Sequence, residues 1–182
     1  MKRLLFAIVV LLGTVNVYAQ DIYSCRNANL SFFSSAPMED IEAKTDKGVS
    51  AINAKTGAVY FKVPVSSFKF KKKLMEEHFN ENYLETEKYP YAEYKGKFAS
   101  PVDITKDGTY DVAVEGVLSL HGVDKTYKEK ATITVQNGKV TTLSKFNVRL
   151  EDHKIKIPTL VIKNIAEVVE VTVNATYAAS GK

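Results

Sequence analysis

Tryptophan is absent from the 182 residues, cysteine occurs once, and only five prolines and nine glycines punctuate the chain. One cysteine cannot close an internal disulfide, so stability must come from packing. Free cysteine is among the most buried residue types, and Cys25 therefore reads as a small core residue. A long apolar run is missing too: Leu4 to Leu12 is nine residues, where a membrane-spanning helix needs about 20. Charge of one sign does not dominate, with 25 Lys and Arg against 21 Asp and Glu. Such a balance argues against nucleic acid as a partner.

Signs of catalysis are equally sparse. There are three histidines, and no Gly-x-Ser-x-Gly elbow. His78 and Glu81 stand at helical i,i+3 spacing, but a catalytic zinc needs three protein ligands and neither His121 nor His153 lies in a ligand-like motif. Ser119 and His121 share what alternation makes an outer strand face, with no carboxylate placed to orient the imidazole. The expectation is a non-enzymatic protein without metal or catalytic cofactor.

What is present begins with Lys2 and Arg3, the apolar run, and the small-x-small step Val17-Tyr18-Ala19, the three parts of an export signal. Cleavage near Ala19 is expected, sending residues 20–182 to the periplasm or outside the cell as one domain. Loss of two basic residues leaves 23 against 21, a net charge of +2. Cys25 lies beyond Gln20 and Asp21 rather than directly after the apolar segment, which speaks against a lipid anchor.

Beyond that point most of the chain alternates with period two, the signature of half-buried strands. Val59, Phe61, Val63 and Val65 share one face; so do Tyr94, Gly96 and Phe98, then Val112 to Leu120, then Phe146, Val148 and Leu150, then Val169 to Tyr177. Leu143 falls out of step and suggests a bulge or a strand start near Ser144. Asp46-Lys47-Gly48, Asn53 to Gly57, Lys106-Asp107-Gly108, Gly122 and Asn137-Gly138 read as turns, the last as a type I′ hairpin. Lys71 to Pro90 breaks the rhythm: Phe70, Leu74, Met75, Phe79, Tyr83 and Leu84 fall on a helical stripe. This predicts one short helical insertion over about residues 70–85, with Tyr89-Pro90 as the exit into extended chain. Strict alternation and short turns imply an all-β, eight-stranded antiparallel up-and-down barrel.

Two stretches carry a resemblance. EEHFNENYLETEKYPYAEYKG (Glu76 to Gly96) is an acidic, aromatic helical segment ending in a Tyr-Pro step before a strand. VEGVLSLHGVDKTY (Val114 to Tyr127) holds a G-x-L-x-x-x-G-V pattern at Gly116, Leu118, Gly122 and Val123. In order and spacing they resemble the YceI-like family of exported lipid-binding proteins. The resemblance implies a lipocalin-like barrel with a long apolar pocket for a polyisoprenoid, such as an isoprenoid quinone tail, and no catalytic residues. The chain departs from it at Asp152-His153-Lys154-Ile155, where members often carry an Asp-aromatic-Gly-Ile step.

On this reading Phe61, Val63, Tyr94, Phe98, Val114, Leu118, Leu120, Ile133, Phe146, Val148, Val171 and Val173 line the interior. Leu74, Phe79 and Tyr83 are expected to close one end as a gate. Gly116 should open space, so that Gly116→Phe would reduce lipid uptake if the residue faces the tunnel. Glu129 shares the inward parity of Tyr127 and Ala131 and is either a polar anchor for a ligand head group, with Arg149 or His153 near, or a wet residue at an open end, or one turned outward by a bulge. Lys69 and Lys71 to Lys73 could favour transient membrane contact, although Glu76, Glu77 and Glu81 already balance them. The expected function is sequestration or transport of a long apolar lipid; the alternative is an envelope stress-protection or partner-binding barrel with a packed core and no ligand. A monomer or a homodimer is expected.

Overall fold

The computed structural model describes residues 21–35, 39–157 and 166–179; the export signal expected over residues 1–19 lies outside them. The strands are β1 (Ile22–Ser35), β2 (Asp40–Asn53), β3 (Ala58–Pro64), the two-residue β4 (Lys69–Phe70), β5 (Tyr91–Phe98), β6 (Gly108–Leu120), β7 (Val123–Gln136), β8 (Lys139–Arg149) and β9 (Val168–Ala179). Helix α1 (Lys73–His78) runs into a π-helical turn at Phe79–Tyr83. The eight long strands pair antiparallel in chain order, and β1 pairs with both β2 and β9. The sheet is thus a closed, up-and-down eight-stranded barrel, with β4 as a short flap on β2. Closure leaves no long edge unpaired except where a ladder ends early.

The β2–β3 ladder is short, covering Val49–Ile52 of β2, and the β7–β8 ladder ends early. β7 and β8 pair only from Ala131–Ser144 to Gln136–Lys139, and Ser144 Oγ donates to the Lys130 carbonyl at 2.8 Å where pairing stops. Beyond it the strands splay, and the 3₁₀ turn Leu150–His153 fills the wedge. His153 is fully buried there. Its Nδ1–H donates to the Val123 carbonyl at 3.2 Å and its Nε2 accepts from Tyr127 O–H at 3.0 Å. The neutral ring satisfies both partners. Lys154 follows with φ 55°, in the left-handed region that favours glycine.

Burial lowers the His153 pKa, while Asp152 opposes that shift and Lys125 adds to it. A folded pKa below the unfolded value means the unfolded chain binds the proton more readily. The stability this gives is complete above the unfolded pKa of ~6.5 and is lost as pH falls through the lower folded value. Between pH 7.5 and 5 the melting temperature of the wild type should therefore fall more steeply than that of His153→Phe. The variant should start lower at pH 7.5, by about 1–2 kcal/mol, because Tyr127 and Val123 lose their partner. Parallel pH profiles would refute the neutral wedge.

Several local expectations need correction. Asp46-Lys47-Gly48 is not a turn but the middle of β2, with Gly48 opposite Ala28. A Cβ there would stand 2.6 Å from Leu30 Cδ1 and 2.9 Å from Phe61 Cζ, so the glycine marks close packing rather than chain reversal. Leu143 needs no bulge: the β8–β9 register is unbroken, and Leu143 lies on the outer face, 50% exposed. His121 is not on a strand face but is the first residue of a two-residue turn, His121-Gly122, with φ of 52° and 71°. Asn137-Gly138 forms the expected hairpin, with φ of 51° and 74°. The bulges lie instead in β1, between Cys25 and Ala28 and between Ala28 and Leu30, and these shifts let all three side chains face the core.

One end of the barrel is packed. Ile52, Phe98, Ile104, Ile133, Val140 and Tyr177 belong to a continuous buried cluster that also takes in Cys25. The other end is covered by the insertion, through Val65, Leu84 and Ile155 with Phe79, Tyr83 and Leu150 around them.

Candidate functional site

Between the packed end and the insertion lies a cavity of about 270 Å³, bounded by β1, β2, β3, β5, β6, β8 and β9 and by the insertion. A second chamber of about 110 Å³ lies on the packed-end side, and Phe61, Tyr94, Leu118, Phe146 and Val173 border both. Alternation along the strands produces this lining, because every second side chain enters the barrel. Of the interior residues expected from sequence, Phe61, Val63, Tyr94, Leu118, Leu120, Phe146, Val148, Val171 and Val173 border the larger chamber. Phe98, Val114 and Ile133 border the smaller one.

From the insertion, Phe79 and Tyr83 border the larger chamber, together with Met75 and Leu84. Leu74 is the exception. It is 60% exposed and borders neither chamber. Met75, Phe79 and Tyr83 follow one another at i,i+4 and form the covering face; Leu74, one position earlier, is turned into solvent. The helical segment is also shorter than expected, Lys73 to Tyr83 rather than 70–85, because β4 takes Lys69 and Phe70 into pairing with β2.

Phe79 is held in a ring of phenylalanines. Its centroid lies 5.5 Å from Phe32 in a stacked arrangement, 5.0 Å from Phe70 and 6.0 Å from Phe68. Such contacts add about 0.5–1.5 kcal/mol per pair beyond burial. Phe32, Phe68 and Phe70 all border the cavity and were missed from sequence. Phe32 lies on β1, which meets the insertion only through the tertiary fold, although its inward parity with Leu30 was a usable signal.

The insertion is tethered at both ends. At its start Lys69 Nζ meets Glu76 Oε1 at 2.6 Å, and Lys72 pairs with Glu39. These ion pairs engage two of the clustered lysines. At its exit Glu85 Oε2 lies 2.8 Å from His121 Nε2, while His121 Nδ1 lies 3.0 Å from the His153 carbonyl oxygen. The Tyr89 ring packs on His121 at 4.7 Å, and a Cβ on Gly122 would meet Tyr89 Cε1 at 2.5 Å. The two resembling stretches therefore touch: the tyrosine of the Tyr-Pro step rests on the second glycine of the G-x-L-x-x-x-G-V pattern.

Gly116 does not open space. A Cβ there would stand 2.4 Å from both Gly96 Cα and Lys95 O, because Gly96 and Gly116 face each other across β5 and β6. Gly116→Phe would disrupt the wall before it could plug the tunnel. Glu129 lies on the wall of the smaller chamber, in unbroken β6–β7 register, and is half-buried. Burial raises its carboxyl pKa. Neither of its expected neighbours joins it. Arg149 approaches Glu167 at 3.9 Å, and His153 borders neither chamber. Tyr94 and Tyr127 share the chamber wall with it; both phenols are pushed up to about 12, Tyr94 by burial and by the charges of Glu129 and Glu115, Tyr127 by burial and by those of Asp152 and Glu129. His78 is exposed at the rim of the larger chamber, and among the described residues no three His, Cys, Asp or Glu side chains gather as a metal site. Cys25 is buried.

Comparison with solved structures finds the same architecture. A polyisoprenoid binding domain from Saccharophagus degradans, implicated in plant cell wall breakdown, superposes with a TM-score of 0.74 at 17% identity, over 88% of this chain and 99% of that one. BcnA of Burkholderia cenocepacia gives 0.71 at 16% identity, over 82% and 95%. A Campylobacter jejuni YceI protein gives 0.54 at 12% identity, over the full length of both. At these identities the likeness shows the fold. A search of curated proteins finds no match. The model of the YceI-like domain matches residues 26–177, nearly the whole barrel from β1 to β9. The chain belongs to the YceI-like family.

Proposed function

We propose that the protein is a non-enzymatic carrier that sequesters or transports a long apolar lipid of the polyisoprenoid type inside the barrel. One observation carries this reading: a cavity of about 270 Å³, walled almost entirely by hydrocarbon and aromatic side chains, lies under a tethered helical cover. Burying on the order of 400 Å² of lipid tail at ~25 cal/mol per Å² offers ~10 kcal/mol before association costs, and needs no reactive group. The similarity to a polyisoprenoid binding domain supports the same ligand class. Phe79 and Tyr83 act as the gate, opening when the Phe79 ring leaves its phenylalanine neighbours. Leu74, exposed beside Lys71 to Lys73, is the point where the cover meets a bilayer transiently. Cleavage near Ala19 delivers the barrel to the periplasm or the exterior, where it works as a monomer or homodimer.

Native mass spectrometry of gently purified protein, followed by organic extraction, tests the reading. An apolar species in near-stoichiometric amount is expected. Protein that is reproducibly empty and takes up no added isoprenoid quinone overturns it.

A further inference from the structure

More polar side chains line the smaller chamber than the larger, and its open polar groups have a defined geometry. On β5, β6 and β7, Gly96, Gly116 and Tyr127 stand in one register row, and Phe98, Val114 and Glu129 in the row two residues nearer the packed end. Since Gly96 carries no side chain, the Tyr94 ring lies over it: its Cε1 and Cζ stand 2.6 and 2.9 Å from where a Cβ on Gly96 would be. The ring thus runs along β5 toward the row of Glu129, and both residues border the same chamber of about 110 Å³.

The Tyr94 hydroxyl is buried and has no hydrogen-bond partner among the described residues. Only Asn80 Oδ1, in the cover, shares that condition there. A buried hydroxyl without a partner is costly and calls for one. The other polar groups of the chamber are already engaged. Tyr177 O–H meets Ser50 Oγ at 2.9 Å, Ser50 donates to the Tyr60 carbonyl at 2.8 Å, and Tyr127 O–H donates to His153 Nε2 at 3.0 Å. Burial alone acts on Glu129, with no hydrogen bond or cation to offset it. No lysine or arginine borders either chamber. What remains open is one O–H donor and one carboxyl group.

Resting on the lipid-binding reading above, we propose that this chamber is a head-group subsite selective for a neutral hydroxyl at the buried end of the apolar ligand. The ligand oxygen accepts from Tyr94 O–H, and its own O–H donates to Glu129. The ligand enters polar end first and leaves its tail in the larger chamber under Phe79. A carboxylate or phosphate head meets a carboxylate with no cation to compensate and is rejected. A plain hydrocarbon leaves Tyr94 unpaired and forfeits that contact.

The test uses lipid-stripped protein and three ligands of one C20 isoprenoid skeleton: the primary alcohol, the carboxylic acid and the hydrocarbon, each competing against an apolar dye at pH 7.5. The alcohol should bind about tenfold tighter than the other two, the size of one or two net hydrogen bonds. Tyr94→Phe keeps the ring over Gly96 and should bring the alcohol to within about threefold of the hydrocarbon. Glu129→Gln should strengthen binding of the acid about fivefold or more. Both variants preserve side-chain outline, and thermal melting checks the fold; if Tyr94→Phe fails to fold, the acid response of Glu129→Gln decides. Equal binding of all three ligands, or an alcohol preference intact in Tyr94→Phe, removes the subsite and leaves lipid binding standing. Failure of all three to bind the wild type removes both.

Discussion

Val173→Trp is expected to abolish lipid uptake while leaving the barrel folded. Val173 is an inward residue of β9, paired with Leu30 on β1 and Ser144 on β8, and it borders both chambers at their junction. An indole at that point fills the neck between the chambers, which the proposed ligand occupies. Displacing even ~100 Å² of tail from the tunnel removes about 2.5 kcal/mol, a roughly seventy-fold loss of affinity. Overpacking a filled core costs about 1–3 kcal/mol, but here the new ring enters open volume, so the melting temperature should move by only a few degrees. Dye displacement and thermal melting on the same sample separate the two effects. Undiminished uptake by a folded Val173→Trp protein would mean that the lipid does not pass between the chambers.

The inward face of each strand was legible in the sequence, and the reason is local. Period-two alternation is a property of the extended backbone, so Phe61, Val63, Leu118, Phe146 and Val173 could be assigned to one side without knowing their neighbours. Barrel closure followed from the number of such strands and their short turns. Other features failed for tertiary reasons. Gly48 looked like a turn because turns use glycine, whereas here the missing side chain makes room for Leu30 and Phe61. Leu74 and Met75 are adjacent apolar residues on a six-residue helix, and only docking of Phe79 among three phenylalanines decides which of them faces the cavity. Parity points Glu129 toward the interior, yet Tyr94, on the same chamber wall, lies on β5 with β6 between them, and no spacing in the chain announces that meeting. His121 was placed on an outer face because alternation was carried one residue past the end of β6.

Gly116→Ala is the substitution with the largest expected cost to stability. The new methyl would stand 2.4 Å from Gly96 Cα and from Lys95 O, and 2.9 Å from Gly96 N. All three are backbone atoms of the neighbouring strand, so no side-chain rotation relieves the overlap; β5 and β6 must part. Overpacking of this kind costs about 3 kcal/mol, which for a domain of this size lowers the melting temperature by roughly 6–12 °C. Gly138→Ala is the internal comparison. Nothing lies within 4 Å of a Cβ there, and the only penalty is the left-handed φ of 74°, about 1–2 kcal/mol. The two variants separate steric contact from backbone strain. Parting β5 from β6 also lifts the Tyr94 ring from its bed on Gly96, so Gly116→Ala should lose any preference for a hydroxylated ligand even at temperatures where it is folded. A Gly116→Ala protein that melts within about two degrees of the wild type would show that the strands do not approach this closely, and the placement of Tyr94 would fall with it.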